Sequence, residues 1–111
     1  MPKYNSKELD AVYHALANST RRKILTRLCK ERCSISALAE PFDMSLAAVS
    51  KHIKVLEKAK LIKKQRDGAT FYCTVDLAPV EGAAALIHYF EQFHKISMAR
   101  ASDEQSESQV A

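Results

Sequence analysis

The chain has 111 residues, a net charge of +4 at pH 7 and a pI near 9.0. That length suits one domain with a single modest core, and 47% hydrophobic with 27% charged residues is an ordinary globular composition. No run approaches the roughly 20 apolar residues of a membrane span, and "MPKYNSKELD" lacks the apolar segment of a secretory signal, so a cytoplasmic protein without membrane contact is expected. Three cysteines, Cys29, Cys33 and Cys73, are an odd count for such a compartment and argue against a disulfide framework.

In chain order, Leu9, Val12, Tyr13 and Leu16 repeat at i, i+3, i+4 and i+7, which predicts a first amphipathic helix from about Ser6. "NST" at 18–20 offers N-cap chemistry for a second helix bearing Ile24, Leu25 and Leu28. Ser34 is placed to cap a short third helix with Ile35, Leu38 and Ala39, limited by Pro41. A tight turn at "FDMS" leads to Ser45, the expected cap of a fourth helix from Leu46 to about Ala59. There the period changes: Asp67-Gly68, flanked by β-prone residues, predicts a hairpin.

Pro79 suits the first turn of a last helix reaching about Met98. On that helix Ala83, Leu86, Ile87, Tyr89, Phe90, Phe93, Ile96 and Met98 cover roughly 200° of arc, twice what a surface helix needs. Part of so wide a stripe is expected to pack on the domain and part on a second subunit. The polar, acidic residues 100–111 read as a disordered tail after a folded domain at 1–99.

The fourth helix decides the functional reading. Leu46, Val49, Ile53 and Leu56 cluster on one side, while Ala47, Lys51, Lys54 and Lys58 lie opposite. Small residues at the helix start permit close approach to another surface, and the lysines suit phosphates. A solvated lysine face is the plain alternative. Its neighbours argue against that alternative. A short helix and turn precede it, a basic hairpin follows, and from Ser45 to Arg66 seven basic residues face one acid, a net of +6. Helix, turn, helix and a Lys/Arg-bearing hairpin form the winged helix-turn-helix order, here α-α-α-α-β-β-α, mostly helical, with a helix shaped for the major groove.

The stretches "ALANSTRRKIL", "ISALAEPFDMSLAAVSKHIKVLEKAKLI" and "KKQRDGATFYCTV" resemble the ArsR/SmtB family of winged-helix repressors over residues from about 9 to 98. The resemblance implies a recognition helix at Ser45–Ala59, a wing at Leu61–Val75, and a homodimer built from the first and last helices. The dimer would use Leu9, Val12, Tyr13, Leu86, Ile87, Phe90 and Phe93. Family members typically repress a nearby operon and release DNA on a signal. Lys60 stands where the family often has glycine, which implies a left-handed residue costing about 1 kcal/mol.

Expected DNA contacts are Ser45, Ala48, Ser50, Lys51, His52 and Lys54 on the helix, with Lys63, Lys64 and Arg66 along the wing. His52 borders the apolar face, so packing beneath the DNA surface is an equal expectation. Tyr72 is expected either to pack the wing or to touch phosphate.

No metal site and no cofactor are expected. The histidines at 14, 52, 88 and 94 form no H-x-x-x-H pair, and His88 with Glu91 supplies at most two ligands. The family's thiolate positions correspond to Ser34, Ser36 and Ala39. Of its other site only Asp76 matches, against Ala78, Tyr89 and Gln92. Cys29 and Cys33 are near enough in sequence to approach each other, with Cys73 expected to lie apart. A thiol- or metal-responsive repressor using Cys29/Cys33 is therefore one alternative, and a winged helix that binds protein rather than DNA is another. Catalysis is not expected: no nucleophile elbow or glycine-rich phosphate loop occurs. The inducer is not encoded in any legible motif.

Overall fold

The computed structural model describes residues 5–110, with side chains described through Asp103. Helices α1 (Ser6–Leu16) and α2 (Ser19–Leu28) lead into a two-residue strand β1 (Cys33–Ser34). Then come α3 (Ile35–Ala39), α4 (Leu46–Lys58), β2 (Ile62–Asp67), β3 (Thr70–Val75) and a long α5 (Val80–Val110).

Each helix among the first four starts where a short polar side chain satisfies a free backbone N–H. Asn5 Oδ1 accepts from Glu8, Asn18 Oδ1 from Arg21, Ser34 Oγ from Ala37, and Ser45 Oγ from Ala48, at 2.8–3.2 Å. Each such cap stabilises its helix by about 1 kcal/mol. The apolar faces meet in one core containing Ile24, Leu25, Leu28, Leu38, Val49, Ile53, Leu56 and Leu61.

Helix α4 stops in a tight reversal. Lys60 N–H donates to Glu57 O (2.9 Å) and Leu61 N–H donates to Leu56 O (3.0 Å), while Lys60 takes φ 64°. This is a Schellman closure, with Leu61 folding back so that it and Leu56 are both fully buried. The left-handed residue implied by the family resemblance is thus present, on a side chain with a Cβ.

The sheet has order β1-β3-β2, all antiparallel. The sequence order therefore needs a correction: a third strand sits between α2 and α3, too short to show alternation. The hairpin loop is Gly68-Ala69, closed by the Asp67–Thr70 pair, so Asp67 ends β2 instead of entering the turn. Gly68 alone of the two has positive φ (66°), as a II′-type turn requires.

Helix α5 also runs past its expected end near Met98. No glycine or proline occurs between Ala99 and Val110, and its backbone stays helical through the residues expected to be a disordered tail. Ala111, the end of that expected tail, and residues 1–4 of the expected 1–99 domain lie outside the described residues. At the start of α5 Gly82 and Ala83 are buried and Leu86 is half-buried, whereas every residue from Ile87 to Asp103 is exposed. The projecting helix raises the radius of gyration to 19.9 Å, against about 13 Å for a compact chain of this length.

Replacing Lys60 by glycine removes the Cβ from a left-handed position. Lys60→Gly should stabilise the domain by about 1 kcal/mol, read in urea denaturation as a higher midpoint at an unchanged slope. An unchanged midpoint would show that the reversal carries no such cost.

Candidate nucleic-acid interface

The core face of α4 is narrower than its apolar spacing suggests. Val49, Ile53 and Leu56 are fully buried, but Leu46 is 53% exposed, a correction to its grouping with the core. As the first residue of the helix it projects before the domain closes over the helix. With Met44 it forms an exposed apolar tip beside Ser45. Neither was singled out from sequence as a contact; an apolar residue at the first helical position looked like core. Such a tip suits the thymine methyl group.

The remaining expected helix contacts differ in exposure. Ser45, Lys51 and Lys54 are exposed, and Ala48, Ser50 and His52 half-buried. Ser45 Oγ spends one lone pair on the cap, and its hydroxyl proton remains available to an outside acceptor.

His52 is held from beneath. Arg21, only 8% exposed, donates from Nε to Ala15 O (2.9 Å), from Nη2 to His14 O (2.8 Å) and from Nη1 to His52 Nδ1 (3.1 Å). The first two acceptors lie in the last turn of α1, where the helix dipole favours a cation. Arg22 adds a donation to Leu16 O (2.8 Å) in the same turn. Burial and then the Arg21 charge hold the His52 pKa below its ordinary value of 6.5.

On the wing, Lys63, Lys64 and Arg66 are exposed, but two of them are engaged. Lys64 Nζ lies 3.2 Å from Glu57 on α4, which ties β2 to the helix. Arg66 donates to Gly68 O (2.9 Å) and lies over the Phe71 ring at 5.7 Å. Tyr72 lies under Arg32, whose guanidinium is 4.1 Å from the ring centroid and 3.1 Å from Asp67 Oδ2. Arg32, from the loop before β1, is thus a basic residue at the wing that sequence spacing gave no reason to select.

The cysteines need a second correction. Cys33 pairs with Cys73 across β1 and β3, both buried, while Cys29 is exposed. The expected Cys29–Cys33 approach with a distant Cys73 does not describe this sheet. Burial pushes the Cys73 thiol up, opposed by Lys64 and reinforced by Glu57 and Cys33. Among the described residues no three His, Cys, Asp or Glu side chains converge. His88 Nδ1 is 4.0 Å from Glu91, and its Nε2 is 3.0 Å from the Gln92 amide. Of the expected dimer residues, Ile87, Phe90 and Phe93 are exposed and Leu9 and Leu86 half-buried. Val12 is 2% exposed and already core, and half-buried Tyr13 donates to Ala83 O (2.7 Å) of α5.

Residues 16–65 match the family model described as a helix-turn-helix domain. The transcriptional repressor SdpR of Bacillus subtilis (strain 168) is 31% identical over 68 residues, 61% of this chain and 76% of that protein. The transcriptional activator HlyU of Vibrio cholerae is 26% identical over 84 residues, 76% of this chain and 78% of that protein. The crystal structure of an ArsR family transcriptional regulator is 32% identical at a TM-score of 0.76, covering 86% of this chain and 97% of that one. The chain belongs to the ArsR family of winged helix-turn-helix transcriptional regulators. It spans about half the length of the first curated relatives it matches. In ArsR family terms α3 and α4 are the helix-turn-helix, and β2–β3 is the wing. Among the described residues no helix is long and apolar enough to cross a membrane.

Two outcomes follow for this ArsR family chain. An alkylating thiol reagent should modify Cys29 first in the native protein and all three cysteines only after denaturation, read by mass spectrometry; early labelling of Cys73 would show the sheet opening. Because His52 resists protonation when folded, the unfolded chain takes the proton first as pH falls. The stability it confers is complete above about pH 6.5 and declines just below. Thermal melts from pH 7.5 to 5.5 should therefore show a loss that His52→Asn reduces.

Proposed function

We propose that the protein is a dimeric repressor that lays α4 in the major groove of an inverted-repeat operator, with the wing following the adjacent backbone. The observation that carries this reading is the outer face of α4. It carries exposed Lys51 and Lys54, with Ser45 and Leu46 exposed at the helix start, over a buried inner face of Val49, Ile53 and Leu56. Lys63 adds a cation on the wing beside it, and Lys64 and Arg66 track the backbone from positions braced by Glu57 and Gly68. Dimerisation supports the reading through α5, where Ile87, Phe90, Phe93 and Ile96 form a continuous exposed apolar stripe. Such a stripe on a projecting helix favours a second copy as its cover. Half-sites would then lie about one helical turn apart, roughly 34–36 Å.

Repression is favoured over activation because occluding a promoter needs only a tightly held dimer. Relatives carry both names, SdpR a repressor and HlyU an activator. The basic character of the α4 and wing surface favours DNA over a protein partner, and no arrangement on it favours an enzyme. An expected cytoplasmic location fits this role.

Fluorescence anisotropy with the duplex upstream of the protein's own coding region tests the assignment. Wild-type binding should exceed that to random duplex and fall steeply with salt. Lys51→Ala/Lys54→Ala should weaken it and flatten the log–log salt slope by about 2. Salt-insensitive binding, or none even at low salt, would refute it. Phe90→Glu/Phe93→Glu should give a monomer by sedimentation velocity and weaken operator binding at least tenfold; a persisting dimer would remove α5 from the interface.

A further inference from the structure

The Arg21–His52 contact crosses from α2 to the recognition helix, and its chemistry is one-sided. A guanidinium has only donors, so the 3.1 Å contact from Arg21 Nη1 requires His52 Nδ1 to be the acceptor. The ring proton must then reside on Nε2. Among the described residues His52 Nε2 has no hydrogen-bond partner, and no buried side-chain nitrogen or oxygen lacks one. The Nε2–H group therefore faces solvent, from the half-buried flank of α4 that carries His52.

The anchor is rigid. Arg21 is held by two backbone carbonyls of α1 at 2.8 and 2.9 Å, so the nitrogen it offers to His52 has a fixed position. Within α4, the residues three and four places from His52 are Ala48, Val49, Val55 and Leu56, none of them charged. From α2 it meets Arg21, α3 (Ile35–Ala39) carries no titratable side chain, and the Lys64–Glu57 pair of β2 and α4 is closed on itself. Arg21 is thus the charged group that acts on the ring.

We propose that Arg21 is a positioning residue for DNA recognition, fixing His52 as the Nε2–H tautomer and aiming that N–H at an acceptor on the duplex. The inference rests on the DNA-binding reading above and assigns His52 a donor role instead of a packing role. The acceptor is a purine N7 or a phosphate oxygen; both present the same chemistry to a neutral N–H.

The first test needs no DNA. In the 111-residue wild-type chain, long-range proton–nitrogen spectra at pH 7.5 should show His52 with a bare Nδ1 and a protonated Nε2 as one species; a proton on Nδ1 overturns the proposal. The second test uses a duplex enriched from a random pool by the wild-type protein. Asparagine reproduces the Nδ1 acceptor without the outer donor, and glutamine places an amide near Nε2. His52→Asn should lose about tenfold in affinity, a single hydrogen bond's worth, and His52→Gln should lose less. Wild-type affinity in His52→Asn overturns the proposal.

Arg21→Lys separates positioning from folding. It should weaken binding severalfold in the wild-type background and have little further effect in His52→Ala. An equal loss in both backgrounds assigns Arg21 to the fold alone and overturns the positioning role. If Arg21→Lys does not fold, the spectra and the His52 pair still decide. Duplexes with 7-deazapurines or with neutral methylphosphonate linkages identify the acceptor: the arm in which the His52→Asn deficit vanishes contains it. A deficit that persists in both arms overturns direct contact. Absence of any wild-type binding to duplex removes the DNA reading itself, while the spectra report separately on the Arg21–His52 pair.

Discussion

The buried guanidinium of Arg21 is the junction on which the arrangement of the first, second and fourth helices depends. It is the one charged side chain in the core of the described residues, and no carboxylate pairs with it there. What compensates it is the negative end of α1, to whose His14 and Ala15 carbonyls it donates, and a neutral imidazole on α4. Hydrogen bonds to a charged group contribute roughly 1.5–3 kcal/mol each where a neutral one contributes about 1. The same contacts orient as well as stabilise, because three acceptors from two other helices converge on one planar group.

The wing is fastened by weaker means. The Glu57–Lys64 and Arg32–Asp67 pairs are substantially exposed, and each is worth about 1 kcal/mol or less. Arg32 over Tyr72 adds a contact of similar size. More secure is the hydrophobic base, where Leu61, Ile62 and Cys73 are buried and β3 runs between β1 and β2. The hairpin therefore has a firm root and a polar, exposed tip, a distribution suited to a segment that adapts to a backbone of phosphates. Helix α5 shows a comparable gradient: a root packed against α1 and an apolar length exposed along its described residues, where Tyr89 and Phe93 meet edge to face at 5.0 Å.

Most of the element boundaries were legible because they are local events. Asn5, Asn18, Ser34 and Ser45 each cap the helix that follows within three residues, so the information lies beside the boundary it sets. The left-handed Lys60 was different: it was expected from a family resemblance, since lysine by itself does not signal positive φ. The exposed Leu46 was misread because helical spacing records the side of the cylinder and not how far along it the domain provides cover. Strand β1 escaped notice because two residues contain no period, and its existence depends on β3, some forty residues away.

The sequence by itself determined where helices begin, which period each segment follows, the winged helix order and the basic character of its proposed DNA face. All of these rest on contacts between near neighbours or on summed charge. Tertiary structure alone decided that Cys33 meets Cys73, that Arg32 reaches the wing, and that Arg21 dictates which nitrogen of His52 bears the proton. Each of those depends on two segments far apart in the chain meeting within a few ångströms, a distance that folding sets and residue spacing does not encode.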